Sequence, residues 1–181
     1  GGPEYKKAHY VTAAATPISY SSWYLVTIVK SGNIIKLYIN GEEEVSLTSN
    51  LVYDYSLGGS VYLGYRKTID GGESSFTGLI DKVRHSNIAR YSKNFVDKLN
   101  DILSPNDAVR SPDSMLEVDQ HTANLWRFDS PMVNNSTEMR NITIEGDLKS
   151  HSSANNGVLY LPSGGYAQIS HSSSLDFSKD F

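Results

Sequence analysis

The sequence contains no cysteine among its 181 residues. This absence excludes disulfide bonds, thiolate nucleophiles and cysteine-ligated zinc sites. The sequence also has no apolar run of the length that a membrane-spanning helix requires, so we expect no membrane span. Basic residues form no cluster, and the formal net charge is −4. We therefore predict no nucleic-acid partner.

Short β-type segments dominate what is present. The chain has 12 Tyr and 14 Gly residues, and its apolar runs are brief and separated by polar turns. Many short strands of this kind predict an all-β sandwich. The predicted strands are Trp23–Lys30, Ile34–Asn40, Glu42–Leu47, Val61–Gly64, Phe76–His85, Asn124–Phe128, Asn141–Glu145, Val158–Leu161 and Tyr166–Ile169.

The second of these strands has an alternating pattern. Leu37 and Ile39 fall on one side and are expected to face the core, while Lys36, Tyr38 and Asn40 fall on the other. The Asn40-Gly41 pair that follows is a strong signal for a two-residue hairpin turn.

Two further stretches are less regular. Residues 67–75 are polar and contain glycine, so we predict a loop. In Phe76–His85, Ile80 and Val83 have opposite parity. Either both faces of this strand are covered, or a bulge lies near Asp81 and Lys82.

A helix is predicted only at Asn94–Leu103, where apolar residues recur at three- and four-residue spacing before Ser104-Pro105. The polar stretch after it indicates a linker. We therefore divide the chain into residues 1–95, a short helix and linker at 96–123, and residues 124–181.

Several motifs occur in an order typical of one family. Trp23–Gly41, Ser60–Gly64 and Phe76–Arg84 resemble the central hairpin, a following strand and the closing strand of laminin-G-like, concanavalin A-like jelly-roll modules. After the linker, Asn124–Asp129 is similar to the opening strand of that family. The segments Gly157–Leu161 and Ser173–Phe181 match the stretch that follows it. Ser86–Phe95 resembles an ending associated with phage tail and other virion surface proteins.

The resemblance implies an antiparallel jelly-roll sandwich with its halves in swapped order. Residues 1–95 correspond to the C-terminal part of a module, and residues 124–181 to the N-terminal part. The two segments either form one circularly permuted sandwich or belong to successive modules of a tandem array. Alternatively, another copy or a partner virion or adhesin chain supplies the missing strands by pairing at sheet edges.

Catalysis has one candidate pair of carboxylates. Some concanavalin-like enzymes cleave glycans with two carboxylates on one strand, and Glu42–Glu44 is the nearest match. This stretch follows a hairpin turn, where charge protects an edge strand from unwanted pairing. The five histidines show no ligand-type spacing. We therefore predict that the chain is not an enzyme.

A calcium site is a second possibility that the resemblance raises. Jelly rolls of this kind often bind Ca²⁺ through carboxylates and backbone carbonyls. Asp81 and Asp129 lie on segments that resemble the closing and opening strands, which are neighbours in the family's sheet, so they are candidate ligands. The alternative is that Asp81 pairs with Lys82, Arg84 or Arg127, or faces water.

Glycan recognition is the function that the resemblance favours. Loops crowning the sheet usually bind the ligand, and tyrosine offers a sugar both an apolar face and a hydroxyl. The candidate glycan-binding residues are Tyr53, Asp54, Tyr55, Tyr65, Asp70 and Glu73. The alternative for Tyr53 and Tyr55 is that they cover the sandwich edge.

The functional prediction is a non-catalytic module that binds carbohydrate or a host surface. It would serve attachment in a virion or a cell-surface adhesin, at the virion surface or outside the cell. The main alternative is a structural protein that decorates a capsid or forms arrays without binding glycan. A glycan-cleaving enzyme is the third.

Overall fold

A computed structural model describes residues 17–20, 22–48, 60–67, 72–98, 118–128, 133–134, 142–145, 149–153 and 156–170. The chain divides into two compact units, Gly1–Leu51 with Ala89–Pro112 and Val52–Ile88 with Asp113–Phe181. The all-β class is confirmed, and all strand pairings among these described residues are antiparallel. Nowhere in the described ranges is there a helix long and apolar enough to cross a membrane.

The first unit contains a three-stranded sheet formed by two successive hairpins. Its strands are β1 (Val26–Ser31), β2 (Ile34–Ile39) and β3 (Glu42–Thr48), in that order across the sheet. Asn40 and Gly41 both have positive φ, at 50° and 77°, as a type I′ turn requires. The Asn40 side chain also accepts a hydrogen bond from the Leu25 N–H at 2.9 Å. The predicted Asn-Gly hairpin is confirmed.

The face of β2 that carries Tyr38 is covered as well, which the alternation alone did not predict. Tyr38 is fully buried, its neighbour Ile39 is 8% exposed, and Leu37 is only half-buried. The register with β3 shifts between Leu37 and Tyr38 because β3 has an extra residue there, Glu44, and β2 keeps its alternation, with one continuous register to β1. Tyr38 is buried because Phe95 covers it, with the ring centroids 5.3 Å apart.

The segment that covers Tyr38 is held by hydrogen bonds to the hairpin. The Phe95 N–H donates to the Gly41 carbonyl at 2.9 Å. Lys36 Nζ donates to the Ser92 carbonyl at 3.0 Å, and Tyr91 stacks on Phe95 at 3.8 Å. Residues 91–95 therefore give β2 a second covered face, and burial raises the pKa of Tyr38.

The same anchoring explains why the helix predicted over Asn94–Leu103 does not begin there. Asn94 accepts a bond through Oδ1 from the Glu43 N–H at 3.0 Å, and Phe95 is tied to Gly41. The only helical geometry in the part of this segment that the structure describes is a 3-10 turn at Val96–Lys98. Residues 99–103 lie outside the described residues.

In the residues that the structure describes, the second unit has eleven short strands in four small sheets. Their orders are β10-β9-β8, β11-β14-β4, β12-β13-β7 and the hairpin β5-β6. The strands are β4 (Val61–Leu63), β5 (Tyr65–Lys67), β6 (Glu73–Ser75), β7 (Gly78–Ile80), β8 (Lys82–Ser86), β9 (Thr122–Arg127), β10 (Val133–Asn134), β11 (Ile142–Glu145), β12 (Lys149–Ser153), β13 (Asn156–Leu161) and β14 (Tyr166–Ile169).

Two stretches have strands with other bounds than predicted. The strand predicted at Phe76–His85 is broken at Asp81, so that β7 pairs with β13 and β8 pairs with β9. The break accounts for the opposite parity of Ile80 and Val83. The predicted loop at residues 67–75 is wrong at both ends, because Lys67 belongs to β5 and Glu73–Ser75 pairs with Tyr65–Lys67 as a hairpin.

The core of the second unit joins strands from both halves of the sequence. Its buried members are Trp126, Phe128, Leu159, Leu161, Ala167 and Ile169, and partly buried residues of β4, β7, β8 and β11 pack against them. Strands of the later segment thus pair with earlier ones: β9 with β8, β13 with β7 and β14 with β4. The boundaries at 1–95, 96–123 and 124–181 stay a prediction.

Candidate functional site

Three tyrosines from separate strands of the second unit pack together. The ring centroids of Tyr65 and Tyr166 are 5.1 Å apart, and those of Tyr62 and Tyr166 are 5.5 Å apart in an edge-to-face arrangement. The ring centroids of Tyr62 and Tyr65 are 6.0 Å apart. We call Tyr62, Tyr65 and Tyr166 the tyrosine cluster.

Strand alternation brings these rings to the outer side of the sheet. Val61 and Leu63 pack against the core, so Tyr62 between them points the other way. On β14, Ala167 and Ile169 are fully buried, and Tyr166 and Gln168 take the outer positions. Tyr62 remains 41% exposed.

A carboxylate adjoins the cluster. Tyr65 lies opposite Ser75 in the β5–β6 hairpin, and Lys67 lies opposite Glu73, so Tyr65 and Glu73 are diagonal neighbours on one face. The Tyr65 hydroxyl donates a hydrogen bond to the Glu73 carboxylate. This bond, together with partial burial and the negative charge, raises the pKa of Tyr65.

Polar contacts fix the elements around the cluster. Ser75 Oγ accepts a hydrogen bond from the Gly164 N–H at 3.1 Å, which ties β6 to the turn before β14. Gly164 has a φ of 81°, which favours glycine. Gln168 Nε2 donates to Ser60 Oγ at 2.9 Å, and Gln168 lies opposite Tyr62 in the β14–β4 pairing.

This arrangement offers three kinds of contact to a ligand. The exposed ring of Tyr62 provides an apolar face, and the Glu73 carboxylate accepts hydrogen bonds. Gln168 and Ser60 add an amide and a hydroxyl beside Tyr62. Such a combination suits a molecule that has both C–H faces and hydroxyl groups.

The predicted glycan residues fall into two groups. Tyr65 and Glu73 are brought into hydrogen-bond contact. Tyr53, Asp54, Tyr55 and Asp70 lie outside the described residues.

Sequence reasoning missed Tyr62 and Tyr166. Each is a tyrosine at the outward position of a strand whose alternate residues are buried and apolar, and that pattern was available as a signal.

The predicted calcium ligands are only partly described. Asp81 lies at the break between β7 and β8, with its Oδ2 3.9 Å from Lys82 Nζ, and Asp129 lies outside the described residues. The strands that resemble the family's closing and opening strands, β8 and β9, pair with each other. Within the described ranges, no three or more His, Asp or Glu side chains form a group suited to a metal ion. Calcium binding by Asp81 and Asp129 stays a prediction.

The glutamates considered for catalysis lie on β3, an edge of the sheet in the first unit. Glu43 accepts a hydrogen bond from Lys36 Nζ at 2.6 Å, and this bond raises the pKa of Lys36. The Glu43 N–H is bound by Asn94. Glu43 thus has structural partners on both its side chain and its backbone.

Comparison with known proteins gives one family match. Residues 3–94 match a laminin G-type family described as the concanavalin A-like lectin/glucanases superfamily. No curated protein and no solved structure matches the chain significantly. The matched residues make up half of the chain and contain the hairpins and the closing strand described above. The chain therefore belongs to the laminin G-type family of the concanavalin A-like lectin/glucanases superfamily.

Proposed function

We propose that this protein is a non-catalytic carbohydrate-binding module and that the tyrosine cluster with Glu73 is its glycan site. The observation that carries the proposal is the contact of three tyrosine rings, one of them hydrogen-bonded to a carboxylate. Sugar rings stack their C–H faces on aromatic side chains, and their hydroxyls donate to carboxylates. Family membership supports the proposal, since the superfamily includes lectins.

The module would act in attachment, as part of a virion or an extracellular adhesin that recognises a host surface. This placement rests on the resemblance of Ser86–Phe95 to the ending found in virion surface proteins. The absence of catalysis is part of the proposal. It is supported by the bonding of Glu43, the central residue of Glu42–Glu44, to Lys36 and Asn94.

A glycan array with the wild-type chain and a Tyr62→Ala variant tests the proposal. We expect wild-type binding to at least one glycan, and a loss of about tenfold in affinity for Tyr62→Ala because a stacking ring is removed. Tyr20→Ala is the matched control, since Tyr20 is fully exposed in the first unit. Thermal unfolding of both variants verifies that they are folded.

Three outcomes would contradict this function. If Tyr62→Ala leaves glycan binding unchanged, the glycan site does not lie at the tyrosine cluster. The failure of the wild type to bind any glycan, together with ordered self-assembly, would favour the structural, array-forming alternative. Release of reducing ends from a bound glycan would favour the glycan-cleaving alternative.

A further inference from the structure

We infer that the outer edge of strand β1 in the first unit pairs with β1 of a second copy, so that two copies join their hairpin sheets edge to edge. The inference goes beyond the proposed function, because it concerns the first unit alone. It follows from how differently the two edges of the hairpin sheet are built.

The β3 edge of this sheet is closed in three ways. It carries the charged run Glu42–Glu44, and Glu44 is an extra residue that interrupts the register with β2. The Glu43 N–H is also bound by Asn94 Oδ1 at 3.0 Å. Charged side chains, bulges and covering segments are the devices by which natural proteins prevent pairing at a sheet edge. We therefore expect no further strand to pair at β3.

The β1 edge shows none of these devices in the described residues. Its register with β2 is continuous over Val26–Ser31, and its one charged residue is Lys30. Within the described part of the chain, β1 is paired on one side, with β2. Val26 and Ile28 are 56% and 58% exposed, although both are apolar and β-branched. A regular, apolar edge of this kind is a template for another strand.

The bonds to β2 show which backbone groups of β1 point outward. The Asn40 N–H donates to the Leu25 carbonyl at 2.9 Å, so Leu25 faces β2. Backbone groups alternate in direction along an antiparallel strand, and the odd-numbered residues of β1 therefore bond to β2. The N–H and C=O groups of Val26, Ile28 and Lys30 point away from β2, where a new strand can pair with them.

A second copy fits this edge because β1 is complementary to itself. In an antiparallel pair with its two-fold axis at Thr27, Val26 lies opposite Ile28 of the second copy, and the symmetry repeats this contact. The register sets exposed apolar side chains against each other and bonds the outward groups of both residues. It also places Lys30 opposite Tyr24 of the second copy, so the two lysines do not meet. Because the β3 edge is closed, assembly ends at a dimer.

Sedimentation equilibrium over a concentration series tests this surface. We expect the wild type to shift with rising concentration from its monomer mass of 20.0 kDa to about twice that mass. Ile28→Lys should weaken association roughly tenfold or more, because the two new ammonium groups become diagonal neighbours across the paired edges. Ile34→Lys is the matched control, since Ile34 is 40% exposed in the same sheet but lies on β2. It should leave association unchanged, and thermal unfolding verifies that both variants are folded.

Cysteine cross-linking tests the register, and the chain has no cysteine of its own to interfere. Thr27→Cys puts both sulfur atoms at the two-fold axis, where directly opposite Cα atoms are about 4.5–5.5 Å apart, within the range for a disulfide. Lys30→Cys is the control, because its two copies lie about 20 Å apart along the strands. We expect oxidation to cross-link the first variant and not the second.

A wild type that stays monomeric at all concentrations would overturn the inference. Slow exchange of the Val26 and Ile28 amides in that monomer would show that a segment of the same chain covers the edge, and rapid exchange would point to a partner of another kind. Association that Ile28→Lys leaves unchanged, or assemblies larger than a dimer, would also overturn the inference. Cross-linking of Lys30→Cys but not of Thr27→Cys would overturn the two-fold register.

Discussion

Phe95 packs its ring on the fully buried ring of Tyr38 at a centroid distance of 5.3 Å and an interplanar angle of 57°. This contact fastens residues 91–95 to the hairpin sheet of the first unit, and Phe95 itself is 7% exposed. Truncation of either side chain would therefore remove a buried aromatic contact.

Phe95→Ala should lower the free energy of unfolding by about 3–5 kcal/mol, because it removes a buried aromatic ring and leaves a cavity beside Tyr38. Urea denaturation would measure the change. Val96→Ala serves as the neighbouring control, since Val96 is 41% exposed, and it should cost less than about 1 kcal/mol. Equal effects of the two substitutions would contradict the anchoring role of Phe95.

Gly64→Ala should destabilise the second unit by about 2–4 kcal/mol. Gly64 has a φ of +78°, and an added Cβ would lie 2.1 Å from Leu161 Cδ1, so the substitution combines backbone strain with overpacking. Gly32→Ala is the matched control, because Gly32 has a φ of +55° and open space around it. Gly32→Ala should lower the free energy of unfolding by about 1–2 kcal/mol, through backbone strain alone. Chemical denaturation of both variants checks the difference, and a Gly32→Ala loss as large as that of Gly64→Ala would be the contrary result.

The pKa of the Tyr65 phenol should lie above its ordinary value, because the hydrogen bond to Glu73 favours the protonated form. The unfolded-state pKa of tyrosine is about 10. Because the folded-state pKa is higher, the phenol stabilises the fold fully at pH values below about 10, and this stabilisation is lost as pH rises through the folded-state pKa. Glu73→Gln should move the Tyr65 pKa back towards its ordinary range. NMR titration of the tyrosine ring carbons would follow it, and an unchanged Tyr65 pKa in the variant would contradict the bond.

If Asp81 and Asp129 share a calcium ion, millimolar Ca²⁺ should raise the melting temperature above its value in chelator, since a ligand of the folded state stabilises it. Asp81→Asn and Asp129→Asn should each abolish the rise. Mg²⁺ is the control cation. An identical melting temperature in Ca²⁺ and in chelator would eliminate the site.

Backbone amides of β14 should exchange with solvent slowly, because this strand is paired on both sides, with β11 and with β4. The hairpin strand β6 is paired on one side and exposed, and its amides should exchange faster. Hydrogen exchange followed by mass spectrometry compares the two segments. Rapid exchange throughout β14 would mean that the later segment does not pack as the structure shows.

The sequence predicted strands where local pattern suffices. The Asn40-Gly41 hairpin and the strand at Tyr166–Ile169 follow from turn chemistry and alternation, and both are present. The burial of Tyr38 was not predicted because its cover, Phe95, is distant in sequence and no local pattern reveals it. The short pairing of Glu73–Ser75 was missed for a related reason, since its polar residues look like a loop until Tyr65–Lys67 lies beside them.

The candidate site was predicted in part. Tyr65 and Glu73 are near each other in sequence, and both were identified. Tyr62 and Tyr166 join them only because β14 pairs with β4, and this pairing depends on the shared core rather than on any motif around either tyrosine.

The hydrogen bond between Gln168 and Ser60 joins residues 108 positions apart, and this distance governs how the protein can fold during synthesis. At 5–20 residues per second, a ribosome needs roughly 5 to 20 seconds after β4 emerges to deliver its partner β14. Throughout that interval Val61 and Leu63 have no finished sheet to join. The apolar side chains of β4 can therefore make unwanted contacts until β14 is synthesised. We expect chaperones to bind this segment during translation.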